Sequence, residues 1–135
     1  MTRPKIDALI NALKERGIAS IAITGYCYGA RSTFDYAFEH LEGLKAIAIS
    51  HPGLLKVPED LDTMLKLGAV PLLINSCEID PQFPVESQAL ADKTLGDGKY
   101  QPGYKRTYWP GCTHGFAVRF LSDLRASVEF SCTTM

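Results

Sequence analysis

Four short apolar runs, separated by amphipathic stretches, constrain the fold of this chain more than any other feature. The runs predict strands over residues 18–24, 45–50, 70–75 and 104–109. The stretches around them predict helices, over residues 6–17, 30–41, 58–68, 84–96 and 118–130. Nearly all-apolar strands that alternate with helices indicate an α/β fold with a parallel sheet and right-handed crossovers. We expect helices on both faces of that sheet.

Composition narrows the class of protein. The chain has 135 residues, of which 46% are apolar and 21% charged, as in a single globular domain over residues 1–135. The net charge is −1, and the sequence shows no excess of basic residues of the kind that nucleic-acid-binding proteins usually carry on one face. No apolar run is long enough for a membrane span, and no signal peptide pattern is visible. The four cysteines lack CxxC or zinc-ligand spacing, which together with the missing signal peptide favours free thiols in the cytoplasm.

The first predicted strand leads into Gly25-Tyr26-Cys27-Tyr28-Gly29, directly before a predicted helix. A nucleophile between two glycines at such a turn is typical of a nucleophile elbow, here with cysteine in the serine position. We expect both positions to require glycine, because side chains there would clash across a sharp turn. The helix N-terminus favours a thiolate, and the N–H of Tyr28 would point at an oxyanion. The alternative is an ordinary strand–helix junction with a buried cysteine.

Two further polar residues follow later strands. Asp80 comes after the third predicted strand, and His114 lies between glycines after the fourth. Because the carboxyl ends of parallel strands meet at one edge of a sheet, Cys27, Asp80 and His114 are expected to converge there. Their chain order, nucleophile then acid then histidine, is that of α/β-hydrolases. Glu78 is a rival for the acid, and Asp80 before proline also suits a simple turn.

Other residues near these loops are candidates for substrate contact. His51 follows the second strand and is either such a contact or an ordinary loop histidine. Arg31 and Arg119 either hold a substrate carboxylate through paired hydrogen bonds or lie solvated on helices. His40, near a helix C-terminus, is expected to be structural. Five aromatic residues are expected to line the pocket or fill the core: Tyr26, Tyr28, Phe83, Trp109 and Phe116. Two further cysteines near the site lack the elbow geometry and are expected to be small buried hydrophobic residues: Cys77 and Cys112.

Together these segments resemble the dienelactone hydrolase family. The resemblance rests on residues 25–31, 50–53, 78–84 and 111–119. It implies an α/β-hydrolase that acts on esters or lactones of small carboxylic acids and uses no metal or organic cofactor. It places the nucleophile on Cys27, the acid on Asp80 and the histidine on His114. A substrate-binding arginine of the family corresponds to Arg119.

The resemblance covers only the second half of the family fold. Three features of the first half have no counterpart here: further strands beside the elbow strand, a loop with a second oxyanion N–H, and a glutamate that helps to control the thiol. We therefore expect an N-terminally truncated domain with about four parallel strands flanked by helices, and weak or absent activity. The alternative is an inactive interaction module that pairs, for example as a homodimer, through the exposed edge strand at 18–24. A thiol redox domain ranks last, since CxxC is absent.

Overall fold

The computed structural model describes residues 3–40, 42–68 and 70–119. Its elements are, in chain order, α1 (Arg3–Glu15), β1 (Ile21–Tyr26), α2 (Gly29–Glu39), β2 (Leu44–Ser50), α3 (Glu59–Leu67), β3 (Leu72–Ile79), α4 (Val85–Leu95) and β4 (Tyr104–Thr113). The strands form one parallel sheet in the order β1-β2-β3-β4, which confirms the predicted α/β fold. The helix predicted over 118–130 lies outside the described residues from position 120 onward. No described helix is long and apolar enough to cross a membrane.

All four described helices pack against one face of the sheet. Strand order follows chain order without reversal, and right-handed crossovers then bring every connecting helix to the same side. Side chains from the four helices and from β2 and β3 form one buried cluster, which includes Ile10, Phe34, Ala37, Ile47, Ile49, Leu61, Met64, Leu72, Ile74, Ala91 and Leu95. The expectation of helices on both faces is therefore wrong for the described residues. Strand composition alone does not determine the side to which a crossover turns.

The opposite face of the sheet carries smaller and more exposed side chains. Ala46, Ala48 and Leu73 are half-buried there, and Ala22 and Lys105 are exposed. These residues line a broad cavity of about 610 Å³. The central strands are thus buried more deeply on one face than on the other, although their nearly all-apolar sequences do not show this difference.

Strand pairing sets the strand ends, which differ from the predicted ones. β1 begins at Ile21 rather than at residue 18, because its partner strand β2 begins at Leu44, the residue that pairs with Ile21. β3 and β4 run on to Ile79 and Thr113, beyond the predicted ends at 75 and 109. Their pairing resumes after an irregularity that follows Cys77, so both strands continue toward the loops.

A row of polar side chains connects three strands at the level where β2 ends. Ser50, Asn75 and Thr107 occupy one register position on β2, β3 and β4. The Asn75 amide donates from Nδ2 to Ser50 Oγ at 3.0 Å, and Thr107 Oγ1 donates to Asn75 Oδ1 at 2.7 Å. One amide group therefore connects the central strand to both of its neighbours.

Two adjacent residues of β3 test the unequal burial of the sheet faces. Ile74 is fully buried in the core, whereas Leu73 is half-buried on the other face. We expect Ile74→Ala to lower the free energy of unfolding by about 2–5 kcal/mol. Leu73→Ala should cost about 1 kcal/mol, because it removes less buried apolar surface. Urea denaturation followed by circular dichroism measures both, and equal losses would contradict a core on one face.

Candidate active site

The strands end in two register-matched pairs at the carboxyl edge of the sheet. Tyr26, the last residue of β1, pairs with Ser50, the last residue of β2. Ile79 and Thr113, the last residues of β3 and β4, also pair with each other. The residues that directly follow the four strands are Cys27, His51, Asp80 and His114. Each strand pair therefore presents two chemically active side chains side by side.

Cys27 lies on a strained turn between β1 and α2. Its φ of +50° falls in the left-handed region, which residues other than glycine rarely adopt. Its N–H donates to the carbonyl of Ser50 at 3.1 Å. Its own carbonyl accepts hydrogen bonds from the N–H groups of Ala30 at 3.0 Å and Gly53 at 2.9 Å. The elbow is therefore held both by its own helix and by the segment that ends β2.

The two elbow glycines differ in whether their surroundings leave room for a side chain. A Cβ added at Gly25 would lie 2.4 Å from Thr33 Oγ1 and 2.5 Å from the carbonyl oxygen of Gly29. A Cβ added at Gly29 would meet no neighbouring heavy atom within 4 Å. The prediction that both positions require glycine is thus correct at Gly25 and wrong at Gly29. The turn is crowded on the strand side only.

Cys27, His114 and Asp80 form a continuous chain of contacts. His114 Nε2 lies 3.1 Å from Cys27 Sγ, and His114 Nδ1 lies 2.7 Å from Asp80 Oδ1. Asp80 is buried, and the same oxygen accepts the N–H groups of Gln82 at 2.9 Å and Phe83 at 3.1 Å. The carboxylate is thereby fixed by its own loop, and it orients the imidazole so that Nε2 faces the thiol.

The rival acid and the other thiols take different positions. Glu78 is exposed and accepts the N–H of Gly111 at 2.7 Å. Cys77 is buried, with Sγ 3.9 Å from Asp80 Oδ2, and burial raises its pKa to about 11. This thiol therefore stays protonated near neutral pH. Cys112 is half-buried, and like Cys27 and Cys77 it forms no disulfide.

His51 borders the contact between Cys27 and His114. It is fully buried, and its φ of +37° makes it a second strained residue at this edge. Its ring centroid lies 5.0 Å from that of His114 and 5.4 Å from that of Phe116. Neither ring nitrogen has a hydrogen-bond partner among the described residues. Burial, and next the nearby His114, lower the pKa of His51.

The two candidate arginines differ in their surroundings. Arg31 donates from Nε to Asp35 Oδ1 at 2.9 Å and forms a second ion pair with Asp60. Its guanidinium is thus engaged by two carboxylates of its own chain, which compete with any substrate carboxylate for Arg31. The exposed Arg119 folds across Gly115, where an added Cβ would lie 2.7 Å from Arg119 Nε. Its side chain therefore passes beside the residue that follows His114.

Three aromatic residues surround His51 and its neighbours. Tyr26 lies 6.2 Å from the His51 ring, and Trp109 lies 6.2 Å from Phe116, which itself contacts His51. Tyr26 and Trp109 are 41% and 46% exposed, so aromatic side chains at this edge of the sheet are accessible to solvent. Phe83, by contrast, is fully buried in the core.

Sequence reasoning missed Gln82. Its side-chain Nε2 lies 3.2 Å from His114 Nε2, on the same nitrogen that faces Cys27. A Cβ added at Gly53 would lie 2.5 Å from Gln82 Oε1, so the amide also packs against the loop after β2. The one available signal is its place two residues after Asp80, inside the segment that carries the family resemblance.

Comparisons with known proteins agree with this architecture. The model of the "Dienelactone hydrolase family" matches residues 2–128. The chain belongs to the dienelactone hydrolase family. No curated protein is significantly similar to it in sequence.

Two solved structures are similar to this chain in fold. One is titled "Putative Dienelactone Hydrolase from Klebsiella pneumoniae subsp. pneumoniae MGH 78578", with a TM-score of 0.56 and 22% identity over 70% of this chain. The other is titled as a thermostable esterase, with a TM-score of 0.59 and 21% identity over 79% of this chain. At these identities the likeness is one of fold. The matched regions cover 40% and 28% of those two proteins, so this chain spans less than half of either.

The elbow glycines allow a matched pair of substitutions. We expect Gly25→Ala to lower the free energy of unfolding by about 1–3 kcal/mol, because its Cβ would press on Thr33 and on the Gly29 carbonyl. Gly29→Ala should be neutral or stabilise by about 0.4–1 kcal/mol, since it stiffens the unfolded chain without a clash. Urea denaturation of both variants decides the point. Similar losses in the two variants would show that the crowding is not confined to the strand side.

Proposed function

We propose that this protein hydrolyses esters or lactones of small carboxylic acids through Cys27, His114 and Asp80. The observation that carries the proposal is the unbroken contact from thiol to imidazole to carboxylate, with distances of 3.1 and 2.7 Å. The residues come from three loops at the carboxyl edge of the sheet, where α/β folds place their reactive groups. Membership of the dienelactone hydrolase family also supports this reaction class.

The first half of the proposed reaction forms a thioester. His114 Nε2 accepts the Cys27 proton, and the thiolate attacks the carbonyl carbon of the substrate. The N–H of Tyr28 donates to the resulting oxyanion, since Tyr28 is the N-cap of α2 and the helix dipole favours negative charge there. The tetrahedral intermediate collapses, and the leaving alkoxide takes the proton from His114. An acyl group then remains on Cys27.

The second half releases the acid. His114 Nε2 accepts a proton from water as its oxygen attacks the thioester carbonyl, and Cys27 leaves with that proton when the intermediate collapses. Asp80 stabilises the imidazolium that forms in each half and fixes the tautomer with Nδ1 protonated. The same imidazole therefore serves as base and acid twice in each turnover.

The surroundings of the triad support a small substrate that carries a carboxylate. We propose that Arg119, beside His114, binds that carboxylate, because guanidinium and carboxylate pair well. His51 and the aromatic residues Tyr26 and Phe116 would border the acyl group.

We also propose a cytoplasmic location, which the free thiols of Cys27, Cys77 and Cys112 favour.

The role of Cys27 is tested by Cys27→Ala, with Cys112→Ala as the matched thiol control. We expect Cys27→Ala to lower kcat for a short-chain nitrophenyl ester by more than about 10³-fold, because the nucleophile is lost. Cys112→Ala should leave the rate unchanged, since the chain of contacts from Cys27 through His114 to Asp80 does not include Cys112. Release of nitrophenol by equal amounts of folded protein gives the comparison.

Two further observations belong to the same experiment. Mass spectrometry of the acylated wild type should place the acyl group on Cys27, because burial keeps the Cys77 thiol protonated. Equal nitrophenol release by wild type and Cys27→Ala would rule out Cys27 as the nucleophile.

A second candidate function is assembly through the edge of the sheet. β1 pairs with β2 on one side and forms the outer edge of the described sheet. The N–H groups of Ile21 and Cys27 bond to the β2 side, at the Gly43 and Ser50 carbonyls. By the alternation of a parallel ladder, the N–H of Thr24 then points outward. Such an edge is able to pair with a second copy of the chain, which would form a homodimer.

Thr24→Pro tests edge pairing, because proline removes an outward N–H without breaking a bond between β1 and β2. If the edge mediates assembly, light scattering after size exclusion should give a dimer mass for the wild type and a monomer mass for the variant. A monomeric wild type at high concentration would eliminate this function.

A further inference from the structure

Three potential metal ligands converge at the carboxyl edge of the sheet. The ligand atoms of Cys27, His51 and His114 all lie within 4.8 Å of one another. His51 is fully buried, and its ring nitrogens have no hydrogen-bond partner among the described residues. Buried polar groups are nearly always bonded, so an unbonded imidazole next to a thiol and a second imidazole calls for an explanation.

We propose that Cys27, His51 and His114 bind one zinc ion, and that bound zinc blocks the thiol. Zinc binding is a property additional to ester hydrolysis. The binding itself does not depend on the proposed function, whereas its inhibitory consequence does.

The donor set suits zinc. One thiolate and two imidazoles are ligands that Zn²⁺ binds readily, with water able to complete a tetrahedron. Tetrahedral bonds of about 2.3 Å to sulfur and 2.0–2.1 Å to nitrogen place sulfur and nitrogen about 3.6 Å apart, and two nitrogens about 3.4 Å apart. Cys27 Sγ and His114 Nε2 are 3.1 Å apart, and the widest spacing in the group is 4.8 Å at most. Closure around the ion therefore requires shifts of roughly 1 Å.

The surrounding contacts prepare His114 as a ligand. Its Nδ1 is bonded to Asp80 at 2.7 Å, which leaves the lone pair on Nε2, the nitrogen 3.1 Å from Cys27 Sγ. Zinc would take this lone pair in place of Gln82 Nε2, which lies 3.2 Å from the same nitrogen. A carboxylate behind a histidine is the usual outer partner of a zinc-bound imidazole. The same contact that orients a catalytic base thus also orients a metal ligand.

The exchange at the thiol is balanced. The S–H bond of Cys27 breaks, its proton passes to solvent, and a bond forms between sulfur and zinc as the ion releases a bound water. No group is oxidised or reduced. The lone pair of His114 Nε2 is then used by zinc, so nucleophile and base are both blocked until a chelator removes the ion.

The first experiment uses the wild-type chain freed of metal. Competition with a chromophoric chelator should give one Zn²⁺ per chain. Zinc-edge X-ray absorption of the complex should show one sulfur and two imidazole nitrogens as ligands. Substoichiometric binding, a spectrum without sulfur, or a spectrum with a single imidazole would each overturn the proposal.

Variants then assign the ligands. Cys27→Ser and His51→Gln should each weaken zinc binding by more than about 100-fold, and Asp80→Asn by about 10–100-fold. The controls are Cys112→Ser and His40→Gln, which should bind zinc as the wild type does. His40 stacks on Tyr36 with ring centroids 4.7 Å apart. Unchanged zinc affinity in folded Cys27→Ser or His51→Gln would refute the site.

Two readouts keep this test decisive. If His51→Gln fails to fold, the number of imidazoles in the wild-type absorption spectrum still decides the role of His51. Zinc should inhibit ester hydrolysis reversibly, and EDTA should restore it. A chain that binds zinc as described but hydrolyses no ester would contradict the proposed function and leave the zinc site standing.

Discussion

The left-handed backbone of Cys27 is the constraint on which the site depends. A residue with a side chain pays about 1–3 kcal/mol for such a conformation, so its surroundings must hold it there. The N–H and carbonyl of Cys27 do this through Ser50, Ala30 and Gly53. Two of these partners belong to β2 and the loop after it. The contacts that maintain the strained turn therefore also fix Cys27 next to His51.

The acid and the base are held by a different pair of strands. His114 donates its backbone N–H to the carbonyl of Ile79, the residue before Asp80, at 2.9 Å. The site thus consists of two halves, one on β1 and β2 and the other on β3 and β4. They meet where His114 contacts Cys27 and where Gln82 packs against Gly53. Chemistry at this edge depends on the relative position of the halves, which the β2–β3 pairing sets.

The sequence predicts most of the helices and strands of this fold, but not where the strands end or on which face of the sheet the helices lie. Apolar runs identify four parallel strands, and the polar residues after them identify Cys27, Asp80 and His114 as neighbours. The extension of β3 to Ile79 was not predictable, because it depends on pairing with β4 rather than on local composition. The position of the helices follows from strand order, which no local pattern records. Gln82 and the cluster with His51 depend on tertiary proximity, since their partners lie far apart in the chain.

The side-chain amide of Asn75 helps to fix the register of β2 against β3, which burial of the apolar core alone does not fix. A slip of β1 and β2 together past β3 and β4 by two residues keeps every side chain on its own face, so hydrophobic burial hardly distinguishes the slipped sheet from the native one. Such a slip would separate Asn75 from Ser50, leaving these polar groups without their hydrogen bond within the sheet. It would also displace Cys27 from His114 by about 6–7 Å, twice the rise per residue of a strand. The hydrogen bond from Asn75 to Ser50 therefore fixes the register between the two halves of the site, and the alignment of Cys27 with His114 depends on that register.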